Sequence, residues 1–250
     1  MAKVKQPLEE NGIHRAKMWE IMMYALNNTS TNTYMMVVGY ISYFLIGIVG
    51  LASVLAGSIV TIMRIWDGVT DPFVGMMVDK TNGKFGKNRP FIVIGQIIMF
   101  VTTFVMFNFI PKMGTGVRFV AFIIIYMIYI LGYTCQCVVT KSAQTCLTND
   151  PKQRPLFTIF NTVGSLLGMG AMQFFAPILA KNYEGGYASA GFFRTLAPVG
   201  IVISILLTIL AIIGIWEKDQ PKYFGIGGEV SEKVKLHEYV QIIKNNNPMQ

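Results

Sequence analysis

The chain has 250 residues, of which 53% are hydrophobic and only 14% charged, with a formal net charge of +8. A soluble domain carries about 25% charged residues, so this composition excludes a water-facing globular protein and makes the membrane span the unit of organisation. The positive excess does not point to a nucleic-acid partner, because it is gathered in alternate loops between apolar stretches.

Residues 1–17 are hydrophilic and hold no short apolar core before a small-residue cleavage site, so no cleaved signal peptide is expected and this stretch reads as a cytoplasmic N-terminus. Six predicted spans follow, Met18–Leu45, Ser53–Val78, Phe91–Ile110, Val117–Leu147, Leu156–Ala180 and Phe192–Trp216. Each meets the ~20 residues that a helix needs to cross a ~30 Å hydrocarbon core. Lys3, Lys5, Arg15 and Lys17 precede the first span. Lys80, Lys84, Lys87 and Arg89 follow the second, Lys152 and Arg154 the fourth, and Lys218, Lys222, Lys233, Lys235 and Lys244 the sixth. The other loops hold only Lys112, Arg118, Lys181 and Arg194. This asymmetry predicts a multi-pass protein of the cell membrane with both termini cytoplasmic.

In the first span, Trp19 and Tyr24 occupy interfacial anchor positions. Its centre, Asn27 to Thr33, is seven consecutive polar residues that cover every face of a helix. Such a helix either lines a cavity, with Asn28 among the candidate substrate contacts, or bonds its neighbours through small polar groups. The second span carries Arg64, Asp67 and Asp71 on one face, with Thr70 on its flank. A charge at the bilayer centre costs about 2.5–3.5 kcal/mol on insertion scales, so such groups mark ion or substrate paths. One arginine cannot neutralise two aspartates. Two carboxylates and a hydroxyl supply the hard oxygens that a small cation prefers, with Arg64 able to hold the site when the cation leaves. Pro72 lacks an N–H, which frees the Gly68 carbonyl as a further ligand or marks a kink. Gly75 permits close approach of a neighbouring helix, and Asp79 can pair with a basic residue or cap a helix.

Cys135, Cys137 and Cys146 lie in the fourth span without a neighbouring His, a poor zinc pattern that reads as small packing residues. His14 and His237 fall in hydrophilic flanks and are expected to be solvated. No phosphate-cradling glycine loop or nucleophile–base arrangement stands out, so no enzyme and no cofactor is expected. In the fifth span, Thr158, Asn161, Thr162 and Ser165 share a face suited to sugar hydroxyls or to helix packing. Tyr34 and Tyr133 could stack on a sugar ring. From residue 217 the composition changes to Pro, Gly and charge, which predicts a cytoplasmic linker over 217–250 with a short amphipathic run from Val230 to Lys244.

The segment from Arg64 to Pro90, with its Arg-x-Trp-Asp, Asp-Pro, Gly-x-x-x-Asp and Gly-Lys-x-Arg-Pro steps, closely resembles the signature of the glycoside–pentoside–hexuronide:cation symporters. These form the melibiose-permease-like branch of the major facilitator superfamily. The resemblance implies an all-α integral membrane fold, with six helices forming the N-terminal half of a twelve-span transporter. It further implies cation-coupled uptake of a sugar, glycoside or hexuronide by alternating access, with the C-terminal half as partner.

Carried over, the family's cation site falls on Asp67, Thr70, Asp71 and Thr134, with Na+ or H+ as coupling ion and Na+ held at Asp67 and Asp71. The gating motif falls on Arg64, Gly75, Asp79, Gly86, Lys87 and Arg89. The sugar positions fall on Thr31, Cys137, Lys141 and Thr162, which depart from the acidic, aromatic and basic residues of galactoside-binding members. Lys141 is open to three roles: binding a uronate carboxylate, pairing with a carboxylate of the other half, or reaching to the interface. The competing readings are a non-transporting sensor or interaction module of the same fold, and a sodium-independent carrier.

Overall fold

The structure, a computed structural model, describes residues 14–81, 83, 85–220 and 223. Its first apolar run is not one helix. α1 (Met18–Gly39) yields at Gly39 and Tyr40 to a short α2 (Ile41–Phe44), which passes into a π-helical turn over Leu45–Val49. Gly50, at φ +85°, then ends the span four residues beyond its predicted limit. The remaining long helices are α3 (Ser53–Lys80), α4 (Arg89–Asn108), α5 (Thr115–Leu147), α6 (Arg154–Ala180) and α7 (Ala190–Ile215). All lie within two residues of their predicted bounds.

Five stretches are long and apolar enough to cross a membrane: Met18–Val49, Arg89–Lys112, Thr115–Leu147, Arg154–Ala180 and Ala190–Ile215. α3, the predicted second span, is not among them. Its 28 residues reach about 42 Å at 1.5 Å per residue, but Arg64, Asp67, Asp71, Asp79 and Lys80 make it the polar member of the bundle. It remains α-helical through Pro72.

α1 packs on α5, α6 and α7, α4 packs on α5 and α7, and α3 leans on α5. Two crossings are close because glycine removes the side chain. At the α4–α5 crossing, a β-carbon on Gly132 would lie 3.0 Å from the Gly95 carbonyl oxygen. At the α1–α6 crossing, a β-carbon on Gly168 would lie 2.9 Å from Thr29 Cγ2. Gly168→Val is therefore expected to destabilise the bundle by about 2 kcal/mol, seen as a lower melting temperature in detergent.

Four of the seven polar residues of α1, Asn27, Asn28, Ser30 and Asn32, bond neighbouring helices, so the interhelical-bonding reading prevails for those four. Asn27 Nδ2 donates to Thr140 Oγ1 (3.0 Å), and Ser30 Oγ donates to the Ser204 carbonyl (2.9 Å). Thr31 and Thr33 donate to carbonyls one turn back, both at 2.9 Å. Only Asn28 and Asn32 remain half-buried. Tyr24 is likewise not an interfacial anchor: it is buried, and its hydroxyl donates to the Val139 carbonyl at 2.6 Å.

At the end opposite the basic loops, Phe44, Phe107, Phe122, Phe192 and Phe193 form a buried aromatic plug, with Phe107 and Phe193 stacked at 4.8 Å. Arg118 ties that end together. Its guanidinium donates to the carbonyls of Met113 (2.7 Å), Ile48 (3.0 Å) and Pro111 (2.9 Å). Arg118→Ala should cost about 2 kcal/mol by stranding these acceptors, measurable by thermal denaturation, whereas a loss under about 0.5 kcal/mol would show that water replaces the clamp.

At the basic end, His14 is buried rather than solvated, which corrects that expectation. Its Nε2 donates to the Cys146 carbonyl at 3.2 Å, and its backbone N–H donates to Asn149 Oδ1 at 2.7 Å. Burial, with Lys218 nearby, holds its pKa below the ordinary imidazole value. Beside it, Asp150 accepts from the Lys152 amide and from Arg15, and both hold its carboxyl below the usual range. The 14–17 segment is thus strapped to the α5–α6 loop. His237 and the 230–244 run lie outside the described residues.

Candidate functional site

Thr134 on α5 faces Asp67 on α3 because the two helices pack along this stretch. Thr134 Oγ1 donates to Asp67 Oδ1 at 3.1 Å. Thr70 Oγ1 lies 3.0 Å from Thr134 Oγ1 and 2.9 Å from the Asp67 carbonyl oxygen. Two hydroxyl protons therefore serve three contacts, and hydroxyl lone pairs remain beside a half-buried carboxylate. Arg64 approaches Asp67 Oδ2 only to 4.0 Å, a Coulombic contact rather than a hydrogen bond.

Asp71, one turn closer to the basic end, is exposed, and among the described residues no ion pair reaches it. The structure thus brings together Asp67, Thr70 and Thr134 and leaves Asp71 on the adjoining open face, with one negative charge uncompensated by Arg64. No group of three or more His, Cys, Asp or Glu suited to a metal ion occurs among the described residues. A cation here would draw on carboxylate and hydroxyl oxygens in equal part.

The candidate sugar positions separate. Asn28 Nδ2 and Asn32 Nδ2 both donate to Ser165 Oγ, at 2.8 and 2.9 Å, which binds the half-buried edge of α1 to α6. Cys137 is half-buried, and Lys141 is exposed on the same stripe of α5, without an ion pair among the described residues. Thr162 is exposed, while Asn161 and Ser165 turn towards α1. Two candidates face elsewhere and are corrected. Thr31 is buried with its hydroxyl bonded to Asn27. Tyr34 is fully buried, its hydroxyl accepting from Gln96 Nε2 at 3.1 Å, because the residue lies on the α4 side of α1.

The motif residues meet at the basic end. Asp79 pairs with Lys87 Nζ at 2.6 Å, the pairing alternative of the two expected. Gly86, at φ +91°, occupies backbone space that a side chain could not share with Asp219. Gly75 faces open space, with no atom of the described residues near a β-carbon there. Asp219, just past α7, was not identified from sequence. It is fully buried and accepts from the backbone N–H groups of Lys87 (3.1 Å), Asn88 (3.0 Å) and Arg89 (2.9 Å). The Arg89 guanidinium also lies 4.7 Å from the Trp216 ring centroid. The residues after span six are therefore anchored, at least to Asp219, where a linker was expected.

A cavity of about 180 Å³ opens between α1, α3 and α5, lined in part by Arg64, Asp67, Tyr126, Tyr129 and Tyr133. Tyr126 and Tyr129 were missed, although the spacing 126, 129, 133 places all three tyrosines on one helical face.

Residues 23–250 match the family described as MFS/sugar transport protein. The chain is 28% identical over 203 residues to the "Uncharacterized symporter YnaJ" of Bacillus subtilis (strain 168), covering 80% of this chain and 43% of that protein. It is 24% identical over 194 residues to the "Isoprimeverose transporter" of Lactiplantibacillus pentosus, covering 76% of this chain and 40% of the relative. It therefore spans less than half the length of these relatives. Among solved structures, the proton:xylose symporter XylE bound to 6-bromo-6-deoxy-D-glucose superposes with a TM-score of 0.62 at 14% identity, covering 91% of this chain and 52% of that one. That likeness establishes the fold alone: an all-helical bundle of the major facilitator type. With the family match running from within α1 through the last described residue, the chain belongs to the MFS/sugar transport protein family.

Proposed function

We propose that this bundle is the N-terminal half of a cation-coupled sugar symporter, with the basic end and both termini cytoplasmic. The observation that carries the reading is the Asp67 carboxylate, held by Thr134 and flanked by Asp71, with too little positive charge nearby. A membrane-embedded carboxylate pair of this kind favours a bound cation or proton. The relatives' names, a symporter and a glycoside transporter, support the sugar and coupling parts of the reading. Asn28, Cys137 and Lys141 on the open face would meet substrate between this half and the C-terminal half, and the open space at Gly75 suits a helix of that half. Na+ and H+ are both compatible with the oxygen donors.

The test is uptake of a sugar panel, pairing neutral glycosides with hexuronides, into vesicles containing the full-length protein under imposed Na+ or pH gradients. Gradient-driven uptake is expected, and Asp71→Asn should weaken cation activation by about a hundredfold, the loss of one charged ligand. Failure of every sugar under every gradient would sink the symport reading in favour of a non-transporting module. Transport that ignores both gradients would identify an uncoupled carrier.

A further inference from the structure

At the basic end, the segment before α1 is held to the start of α6 by a reciprocal pair. The Ala16 backbone N–H donates to Gln153 Oε1 at 3.0 Å, and Gln153 Nε2 donates back to the Ala16 carbonyl at 2.9 Å. Both partners have basic neighbours on either side, Arg15 and Lys17 on one segment and Lys152 and Arg154 on the other, and all four are exposed. The pair thus gathers four cations from segments 137 residues apart.

Little negative charge meets them. Asp150 is engaged by Arg15 at 2.6 Å. Glu20 is buried, and its Oε2 accepts from the Lys17 backbone N–H at 2.7 Å rather than from the ammonium. Glu217, exposed past the end of α7, forms no ion pair among the described residues, and neither does Lys17, Lys152 or Arg154. Cations held side by side repel one another, and an anion among them relieves that repulsion.

The adjoining surface is apolar. Met18, Trp19 and Met22 of α1 are exposed, as is Ile159 of α6. Around α1, Trp19 and Met22 fall between Met23, against Gly214 of α7, and Thr29, against Gly168 of α6. They therefore form the floor of a seam between α6 and α7, and Trp19 follows Lys17 by two residues, at the depth where an indole ring meets headgroups.

We propose that this corner binds an anionic phospholipid. The headgroup phosphate lies among Lys17, Lys152 and Arg154, where the guanidinium offers a fork of donors, and an acyl chain follows the Trp19–Met22 seam. A free phosphate has no use for the seam, so the apolar strip fixes the source as lipid. The net positive charge selects phosphatidylglycerol over zwitterionic phosphatidylcholine. The bound lipid joins α1 to α6 whatever solute the protein carries.

The test places the full-length protein in mixed vesicles of phosphatidylcholine and phosphatidylglycerol, with brominated chains on one lipid or the other. Trp19 fluorescence is isolated by difference from Trp19→Phe. Brominated phosphatidylglycerol should quench Trp19 well beyond its share of the bilayer. In the double variant Lys17→Gln/Arg154→Gln, that preference should fall about thirtyfold, the effect of two charges at the membrane surface. Lys152→Gln alone should lower it about fivefold, and this single exposed change keeps the test decisive where the double variant fails to fold. Lys80→Gln, at the end of α3, should leave the preference unchanged. Equal quenching by both lipids in the wild type, or an undiminished preference in the corner variants, would overturn the site. An equal fall in Lys80→Gln would overturn it too, by showing attraction to the whole basic end rather than to this corner.

Discussion

Asp219→Ala is expected to destabilise the protein by about 3 kcal/mol, the combined effect of losing a helix cap and stranding buried donors. The carboxylate is fully buried and sits on the first amides of α4, accepting at 2.9–3.2 Å from three consecutive backbone N–H groups and from Asn88 Nδ2. These donors have no intrahelical acceptor, and the positive end of the helix dipole adds to their attraction for an anion. Arg89, a further donor to Asp219 at 3.4 Å, would keep its stacking on Trp216 but lose its counter-charge. Asp219→Asn should cost nearly as much, because an amide turns two of its own donors towards a ring of donors. Thermal unfolding of the detergent-solubilised protein checks both. A loss below about 0.5 kcal/mol for either variant would mean that α4 is capped by solvent and the contact is incidental.

The second large effect is expected at Gly132. A β-carbon there would meet Ile98 Cγ2 at 2.8 Å and the Gly95 carbonyl at 3.0 Å. Separation of the two helices is resisted by Gln136 of α5, whose Nε2 donates to the Ile92 carbonyl of α4 at 2.7 Å. Gly132→Leu must therefore drive α4 and α5 apart, at about 3 kcal/mol for overpacking of a closed contact, and Gly132→Ala should cost less. The functional consequence follows from position. Thr134 lies two residues further along α5 and holds Asp67 across only 3.1 Å, so the same displacement should weaken cation activation of transport. Normal cation activation in a stably folded Gly132→Ala would show that α5 moves as a rigid body without disturbing the cluster.

Much of this architecture is local information. Continuous apolar runs of span length, turn residues between them and charges confined to alternate loops require no knowledge of neighbours, so the bounds of the helices after the first span differ from expectation by only a residue or two. The Arg64, Asp67, Asp71 face is also local, because the angle between residues on one helix is set by its period.

Contacts between helices are another matter. Tyr34 and Asn28 lie in the same polar region of α1, yet one points into the core against Gln96 and the other binds Ser165. Which faces are open depends on the crossings set by Gly95, Gly132 and Gly168 rather than on residue polarity. Asp219 reads in sequence as an ordinary acid of a linker, two residues after Glu217, and only the convergence of the α3–α4 loop on the end of α7 makes it a helix cap. The sequence by itself determined the membrane class, the helix order and the charged face of α3. The tertiary structure alone decided that Asp71 stays open beside the Asp67–Thr134 contact that the family resemblance implied, because packing distance between helices is a property of the whole bundle and not of any one segment.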